Sequence, residues 1–141
     1  MVNRSLQIGI CIIFLVVSCA VAGAGSTEKE AAAVSAAGKW LAVTDQGNYD
    51  ESWREASSYF RNSVGQLQWE QLLEAHRKPL GKLISRQMKS AVYTTSLPGA
   101  PEGEYVVIQF ETSFENKKQA TETVTPMMDN GRWRVSGYYI R

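Results

Sequence analysis

The chain has 141 residues with 15 lysines and arginines against 14 aspartates and glutamates, so its formal net charge at pH 7 is +1. A nearly neutral chain gives no electrostatic reason to expect a nucleic-acid partner. Its two cysteines are Cys11 and Cys19. The chain beyond them can form neither a disulfide nor a thiolate metal site, and we expect neither a metal nor a cofactor.

The first 24 residues have the pattern of a secretory signal peptide. Arg4 supplies positive charge, residues 8–17 are apolar without interruption, and small residues dominate 18–25. The apolar run is shorter than the ~20 residues that a membrane-spanning helix needs. We therefore expect residues 1–24 to be cleaved, and residues 25–141 to form one domain exported to the periplasm or cell envelope.

Two processing routes remain open. Ordinary signal peptidase could cleave after Ala22 or Ala24, because small residues stand at the positions it requires. Val16-Val17-Ser18-Cys19 also resembles a bacterial lipoprotein box, in which the cysteine becomes the lipidated first residue. Lipid attachment at Cys19 would anchor the protein to a membrane, whereas the cleaved form would diffuse freely.

Two helices are predicted before residue 60. Thr27 and Glu30 form a capping box at the start of an alanine-rich helix, and Gly47 ends it. Asn48 begins a second helix with another capping box. Its apolar residues recur at helical spacing: Tyr49, Trp53, Ala56 and Phe60.

A third helix is predicted over residues 64–78, with Ser63 as its cap. Its apolar stripe consists of Trp69, Leu72, Leu73 and His76. His76, the chain's one histidine, is a candidate ligand-binding residue or general base. It could equally be a boundary histidine that only packs, since no serine, cysteine or carboxylate stands at triad or metal spacing.

The second half of the chain alternates with the period of β-strands. Strands are predicted over 82–96 and 104–115, separated by a proline- and glycine-rich loop at 97–103 and followed by a turn at 116–119. Asn130-Gly131 is a strong signal for a two-residue hairpin turn between the last two strands.

Counting from this turn gives the register of the last hairpin. The predicted pairs are Asp129 with Arg132, Met128 with Trp133, Val124 with Gly137, and Glu122 with Tyr139. The predicted core face then carries Val124, Met128, Trp133, Val135 and Tyr139, together with Glu122.

The order of elements indicates an α+β fold. We expect about three N-terminal helices packed on a curved four-stranded antiparallel meander sheet that is cone-like in shape.

Arg86 is a second candidate ligand-binding residue, and the register of its strand is ambiguous. If Ile84, Met88 and Val92 face the cone, Arg86 faces it too and needs an anionic partner. If Leu83, Ala91 and Tyr93 face inward instead, Arg86 is solvated.

The sequence resembles a bacterial family known as domain of unknown function 4019. The resemblance rests on Ser52-Trp53, on Arg77-x-Pro79-Leu80-Gly81 followed by Ser85-Arg86, on Leu97-Pro98-Gly99-Ala100-Pro101-Glu102-Gly103-Glu104-Tyr105, and on Gly131-x-Trp133-x-Val135-x-Gly137-Tyr138-Tyr139-Ile140. It implies an exported bacterial protein and brings no activity with it. The helix-then-sheet order also resembles nuclear transport factor 2-like and cystatin-like folds, which host enzymes and binding modules alike.

Three functions are therefore considered. The first is a noncatalytic binding or structural module of the cell envelope, whose partner is a small ligand or an envelope protein; no catalytic residue is assigned. The alternative is a small isomerase- or hydrolase-like enzyme that uses Glu111, Glu122 or His76 in the cone. The third is an adaptor whose contact surface is an exposed patch of Tyr105, Val107 and Tyr138 on the outer sheet face.

Overall fold

The computed structural model describes residues 22–141 of the chain, with side chains from Gly25 onward. The apolar run and Cys19 of the predicted signal peptide lie outside the described residues, so export, cleavage and lipidation stay predictions. Within the described part, no helix is long and apolar enough to cross a membrane.

Four α-helices precede the sheet: α1 (Ala22–Asp45), α2 (Tyr49–Glu55), α3 (Ser58–Ser63) and α4 (Gln66–His76), the last followed by a 3-10 turn at Lys78–Leu80. Gly47 ends α1 as predicted, with the left-handed φ of +81° that glycine adopts without strain. The capping box predicted at Thr27 is wrong, because α1 begins at Ala22 and Thr27 lies inside it.

The predicted second helix is two helices, divided at Ala56 and Ser57. Ala56 has extended backbone angles, and the Ser57 side chain caps α3 by accepting a hydrogen bond from the Phe60 N–H at 3.1 Å. The Ser57 N–H donates to the Val135 carbonyl at 2.8 Å, which ties the break to the sheet. In α4 the cap is Gly65 and not the predicted Ser63.

The four strands are β1 (Leu83–Thr94), β2 (Tyr105–Phe114), β3 (Lys117–Asp129) and β4 (Arg132–Ile140). Each strand pairs antiparallel with the next in the chain, in the order β1-β2-β3-β4. The predicted α+β class and four-stranded meander are therefore confirmed. The likeness to nuclear transport factor 2-like or cystatin-like folds stays a prediction.

The turn between β3 and β4 has the predicted geometry. Asn130 and Gly131 have φ angles of +51° and +80°, as a type I′ turn requires. The two pairs next to the turn, Asp129 with Arg132 and Met128 with Trp133, are confirmed.

A β-bulge at Ser136 changes the register beyond those pairs. Thr125 pairs with Gly137 and Pro126 with Val135, so Ser136 is an extra residue on β4. As a result, Val124 lies opposite Tyr138, and Glu122 opposite Ile140. The predicted pairs of Val124 with Gly137 and of Glu122 with Tyr139 are wrong, because the count assumed an unbroken ladder.

The bulge also exchanges the faces of the two tyrosines. Tyr138 packs against the core, whereas Tyr139 is 47% exposed, so the prediction that Tyr139 faces the core is wrong. Glu122 lies on the core face as predicted and is fully buried.

The core lies between the helices and one face of the sheet. Its buried residues from α1 and the strands are Ala33, Ala37, Trp40, Leu41, Val106, Ile108, Phe110, Val124 and Val135. Ala33 and Ala37 of α1 are fully buried in this core, and Asp45 at the C-terminal end of α1 contacts Arg86 of β1. That end of the molecule holds the charged residues described next.

Candidate functional site

Arg86 points inward from β1, where it lies opposite Thr112 of β2 and its side chain is 13% exposed. Bulges at Ile84 and Lys89 change the side-chain alternation on either side of it. The inward-packing apolar residues are those of the other register, Ala91 and Tyr93, while Ile84, Met88 and Val92 are exposed. The first alternative is thus correct only in placing Arg86 inward, and the second is correct for Ala91 and Tyr93 but not for a solvated Arg86.

Arg86 belongs to a set of six residues that we call the buried ion network. It comprises Asp45 at the end of α1, Arg77 after α4, Arg86 in β1, Thr112 in β2, Glu122 in β3 and Tyr138 in β4. One member comes from every strand and two come from helix ends, so the network connects both layers of the fold.

Glu122 is the centre of the network. Its Oε1 accepts hydrogen bonds from Arg86 Nε at 2.6 Å and from Thr112 Oγ1 at 2.5 Å. Its Oε2 accepts from Arg86 Nη2 at 3.1 Å and from the Tyr138 hydroxyl. Each carboxylate oxygen thus has two donors, as a buried charge requires. Glu122 could not take a proton from a substrate without giving up one of these bonds.

Asp45 is the second carboxylate of the network and pairs with both arginines. Its Oδ2 accepts from Arg86 Nη1 at 2.7 Å, and its Oδ1 accepts from Arg86 Nη2 at 3.0 Å and from Arg77 Nη2 at 3.1 Å. Two guanidinium groups therefore face two carboxylates, and the formal charge of the network is zero. The anionic partner predicted for an inward Arg86 is thus present within the chain. That Arg86 contacts a ligand stays a prediction.

Arg77 is the network member with an unsatisfied group. Its Nη1 donates to the Gly81 carbonyl at 2.7 Å, and its guanidinium carbon lies 4.4 Å from the centre of the Phe114 ring. The Nε–H is buried and has no acceptor among the described residues. A buried donor without a partner carries a desolvation cost of about 1–3 kcal/mol.

This arrangement shifts the pKa values of Tyr138 and Arg86. Burial, followed by the charge of Glu122, raises the pKa of the Tyr138 phenol well above its ordinary value, so the hydroxyl stays a donor. Burial alone would lower the pKa of Arg86, but its hydrogen bonds with Asp45 and Glu122 outweigh burial and raise it. Both groups keep their protons throughout the physiological range.

Beside the network lies an open groove of about 390 Å³ between α4 and the end of β4, which we call the α4–β4 groove. Its helix side consists of Trp69, Leu72, Leu73, His76, Arg77 and Leu80, and its sheet side of Lys117, Tyr138, Tyr139, Ile140 and Arg141. His76 lies at this groove as an exposed side chain. Its role in ligand binding stays a prediction.

The floor of the groove rests on packed aromatic rings. Trp69 meets Phe60 edge-on with 4.9 Å between ring centres, and Trp40 meets Tyr138 edge-on at 5.2 Å. The indole N–H groups of Trp40 and Trp69 both donate to Ser52, at 2.8 and 3.0 Å. Buried indoles with satisfied N–H groups give the groove a preformed apolar floor.

A second depression of the described chain is less suited to an apolar ligand. A wider depression of about 780 Å³ between α1, α2 and β4 has side chains of both charges on its walls: Lys39, Arg54, Arg132 and Arg134 with Glu51 and Glu55. The exposed patch predicted on the outer sheet face is wrong, because Tyr105 is buried and Tyr138 faces inward. Among the described residues, no group of three or more His, Cys, Asp or Glu side chains could hold a metal ion.

The sequence did not identify four members of the network as site residues: Asp45, Arg77, Thr112 and Tyr138. Arg77 had a detectable signal, since it lies four residues after Leu73 and eight after Trp69 and so continues the buried stripe of α4. Asp45 had none, because its partners lie 32 and 41 residues away in the chain.

Comparison with known proteins places the chain in a family. No curated protein matches the chain significantly. The family described as "Protein of unknown function (DUF4019)" matches residues 36–138, which include every member of the buried ion network. The resemblance seen in the sequence is therefore confirmed, and the chain belongs to the DUF4019 family of proteins of unknown function.

Proposed function

We propose that the protein is a noncatalytic binding module of the bacterial cell envelope, exported by its signal peptide, that takes a small ligand with an apolar body in the α4–β4 groove. The observation that carries this proposal is the groove itself, with its preformed aromatic floor. A volume of about 390 Å³ lies within the range of roughly 300–1,000 Å³ typical of small-molecule pockets.

The groove leaves apolar side chains in contact with water. Leu72 is 41% exposed and Tyr139 is 47% exposed. A ligand that covered them would gain about 25 cal/mol for each Å² of apolar surface removed from water. These two residues are therefore the parts of the groove where an apolar ligand would gain most.

The buried ion network supports a noncatalytic role. The isomerase- or hydrolase-like alternative needs a carboxylate or histidine that is free to exchange a proton. All four bonding positions of Glu122 are occupied, and no described residue forms a hydrogen bond with the His76 ring to orient it. Glu111 is exposed and paired with Lys89 at 3.2 Å. Turnover that is lost in a Glu122→Gln or His76→Ala variant that is still folded would favour the enzyme instead.

The groove can be tested with a neutral, polarity-sensitive dye such as Nile red and the purified protein. We expect saturable fluorescence enhancement at one site, and Leu72→Gln is expected to weaken it about five- to tenfold, since about 1–1.4 kcal/mol of apolar contact is lost. Leu67→Gln is the matched control, because Leu67 is a 68% exposed leucine of the same helix outside the groove. Failure of the dye to bind, or equal binding by both variants, would refute the proposal.

Export can be tested separately by mass spectrometry of the protein isolated from the producing bacterium. A first residue at position 23 or 25 would support ordinary cleavage after Ala22 or Ala24. A diacylglyceryl group on Cys19 would support the lipoprotein route and membrane anchoring. An intact N-terminus at Met1 would contradict export by a cleaved signal.

A further inference from the structure

The charged side chains that line the α4–β4 groove are all basic. No acidic side chain is among the described residues that line it, whereas Lys117 and Arg141 lie on its sheet side. Neither of these two cations forms an ion pair with another described side chain. The Arg141 backbone is held to β3 by a pair of hydrogen bonds with Thr121, at 2.9 and 3.0 Å. Its guanidinium lies over the Tyr139 ring, 5.3 Å from the ring centre.

Arg77 adds a second, independent observation. Its side chain lines the same groove and is 4% exposed, and its Nε–H has no acceptor within the described chain. Asp45 offsets the charge of Arg77 but does not satisfy this donor. Arg77 therefore adds a buried cation to the wall of the groove, although Asp45 pairs with it.

Size limits what the groove can hold. The volume of about 390 Å³ lies near the lower limit of the roughly 300–1,000 Å³ typical of small-molecule pockets, which favours a ligand with a single hydrocarbon chain. The apolar floor favours a hydrocarbon body, and the cations favour one anionic end.

We infer that the ligand of the α4–β4 groove is a single-chain amphiphile with an anionic, oxygen-bearing head group, held by Lys117 and Arg141 on the sheet side of the groove. This rests on the proposed function, because it names the class of ligand for that same groove. The structure matches the two ends of such a molecule separately: the floor at Trp69 and Leu72 takes the chain, and the two cations take the head group.

Displacement of Nile red by three amphiphiles of equal chain length tests the inference. The probes are decanoate, decanol and decyltrimethylammonium, with decanol used below its solubility limit and the two ionic probes below their micelle-forming concentrations. Decanoate is expected to displace the dye at a concentration at least tenfold lower than either of the others. Added salt is expected to weaken decanoate and leave decanol unchanged, since salt screens exposed charges.

Variants show whether the head group lies where we place it. The double variant Lys117→Gln/Arg141→Gln is expected to lose the preference for decanoate and to keep its affinity for decanol. Lys118→Gln is the matched control, because Lys118 is the next residue of β3 and lies outside the groove. Thermal unfolding midpoints of the variants confirm that they are folded.

The outcomes separate the inference from the proposed function. Dye binding with equal displacement by all three probes, or better displacement by the cationic probe, would overturn the anionic head group and leave the binding module standing. A decanoate preference that survives the double variant would overturn the assignment to Lys117 and Arg141. A protein that binds neither dye nor decanoate would overturn both proposals.

Discussion

Replacing Glu122 with glutamine is expected to destabilise the protein by about 3–5 kcal/mol, the cost of breaking a buried ion pair from one side. The glutamine side chain keeps the volume but replaces one acceptor oxygen with an NH₂ donor. At the Oε2 position that donor would face Arg86 Nη2 and the Tyr138 hydroxyl, which are donors themselves. Two poorly satisfied buried donors cost about 1–3 kcal/mol each. Arg86 would also keep only Asp45 as its counter-charge.

Urea unfolding followed by tryptophan fluorescence measures this loss. With a denaturant dependence of ~1–3 kcal/mol per M, the midpoint should fall by about 1 M or more. Glu111→Gln on the neighbouring strand is the control, because Glu111 is 64% exposed and its ion pair with Lys89 contributes at most ~1 kcal/mol. If Glu122→Gln costs no more than Glu111→Gln, the network does not stabilise the fold in the way described.

A double variant tests whether the loss comes from the unpaired charge. Arg86→Met/Glu122→Leu removes one charge of each sign and leaves the pair of Asp45 with Arg77 intact. Replacement of a buried ion pair by apolar groups is often close to neutral. The double variant is therefore expected to be more stable than Glu122→Leu alone. If its loss of unfolding free energy equals the sum of the losses for Arg86→Met and Glu122→Leu, the two residues are not coupled.

Two further predictions concern alkaline stability and glycine positions. Because burial and Glu122 raise the pKa of Tyr138, the unfolded chain loses this proton near pH 10 while the folded protein keeps it, so the stabilisation is complete below pH 10 and is lost as pH rises toward the folded-state pKa. The urea midpoint should therefore decrease more between about pH 8 and about pH 11 for wild type than for Tyr138→Phe. An equal decrease would contradict a raised pKa of Tyr138 in the folded protein. Gly38→Ala, in the exposed part of α1 with open space around a new Cβ, should raise the unfolding free energy by about 0.5–1 kcal/mol. Gly131→Ala, at a φ of +80°, should lower it by about 1–2 kcal/mol, and thermal midpoints that shift in the same direction for both would refute the backbone argument.

The features that could be predicted from sequence depend on neighbouring residues. In β2, Val106, Ile108, Phe110, Thr112 and Phe114 alternate in the chain and are all buried in the structure. The Asn130-Gly131 turn likewise has its predicted geometry, since two positive φ angles follow from these two residue types. Local pattern was therefore enough for the fold class and for most of the core.

The features that were missed depend on contacts between distant residues. Bulges at Ile84, Lys89 and Ser136 each insert one residue into a strand and reverse the alternation beyond it. No residue type requires a bulge at these positions. Counting alternate residues past the bulge therefore assigns the following side chains to the wrong face, as happened for Tyr139. Pro126 is the one residue whose type favours a bulge, because it has no N–H to donate to the neighbouring strand, and it lies at the Ser136 bulge.

The candidate site was predicted only in part for the same reason. Glu122 was placed inside by the alternation of side chains along β3 counted from the turn, and it is buried in the structure although its predicted pair with Tyr139 is wrong. Arg86 was placed inside by one of two alternatives. Their mutual contact joins residues 36 positions apart, and no pattern within a single strand specifies it.

The bulge at Ser136 has a consequence for how the chain selects one strand alignment. If one strand slipped by one residue, its member of the buried ion network would move to the opposite face of the sheet. The charged network members on the other strands would then be buried without their partners. Hydrocarbon side chains would tolerate such a slip far better, because one apolar contact can replace another. With the bulge, Tyr138 reaches Glu122 only when β4 is in its native alignment. The network therefore favours one alignment of the sheet. A misaligned strand would leave buried charges without partners at a cost of several kcal/mol, whereas the native alignment gives the network residues of all four strands their partners.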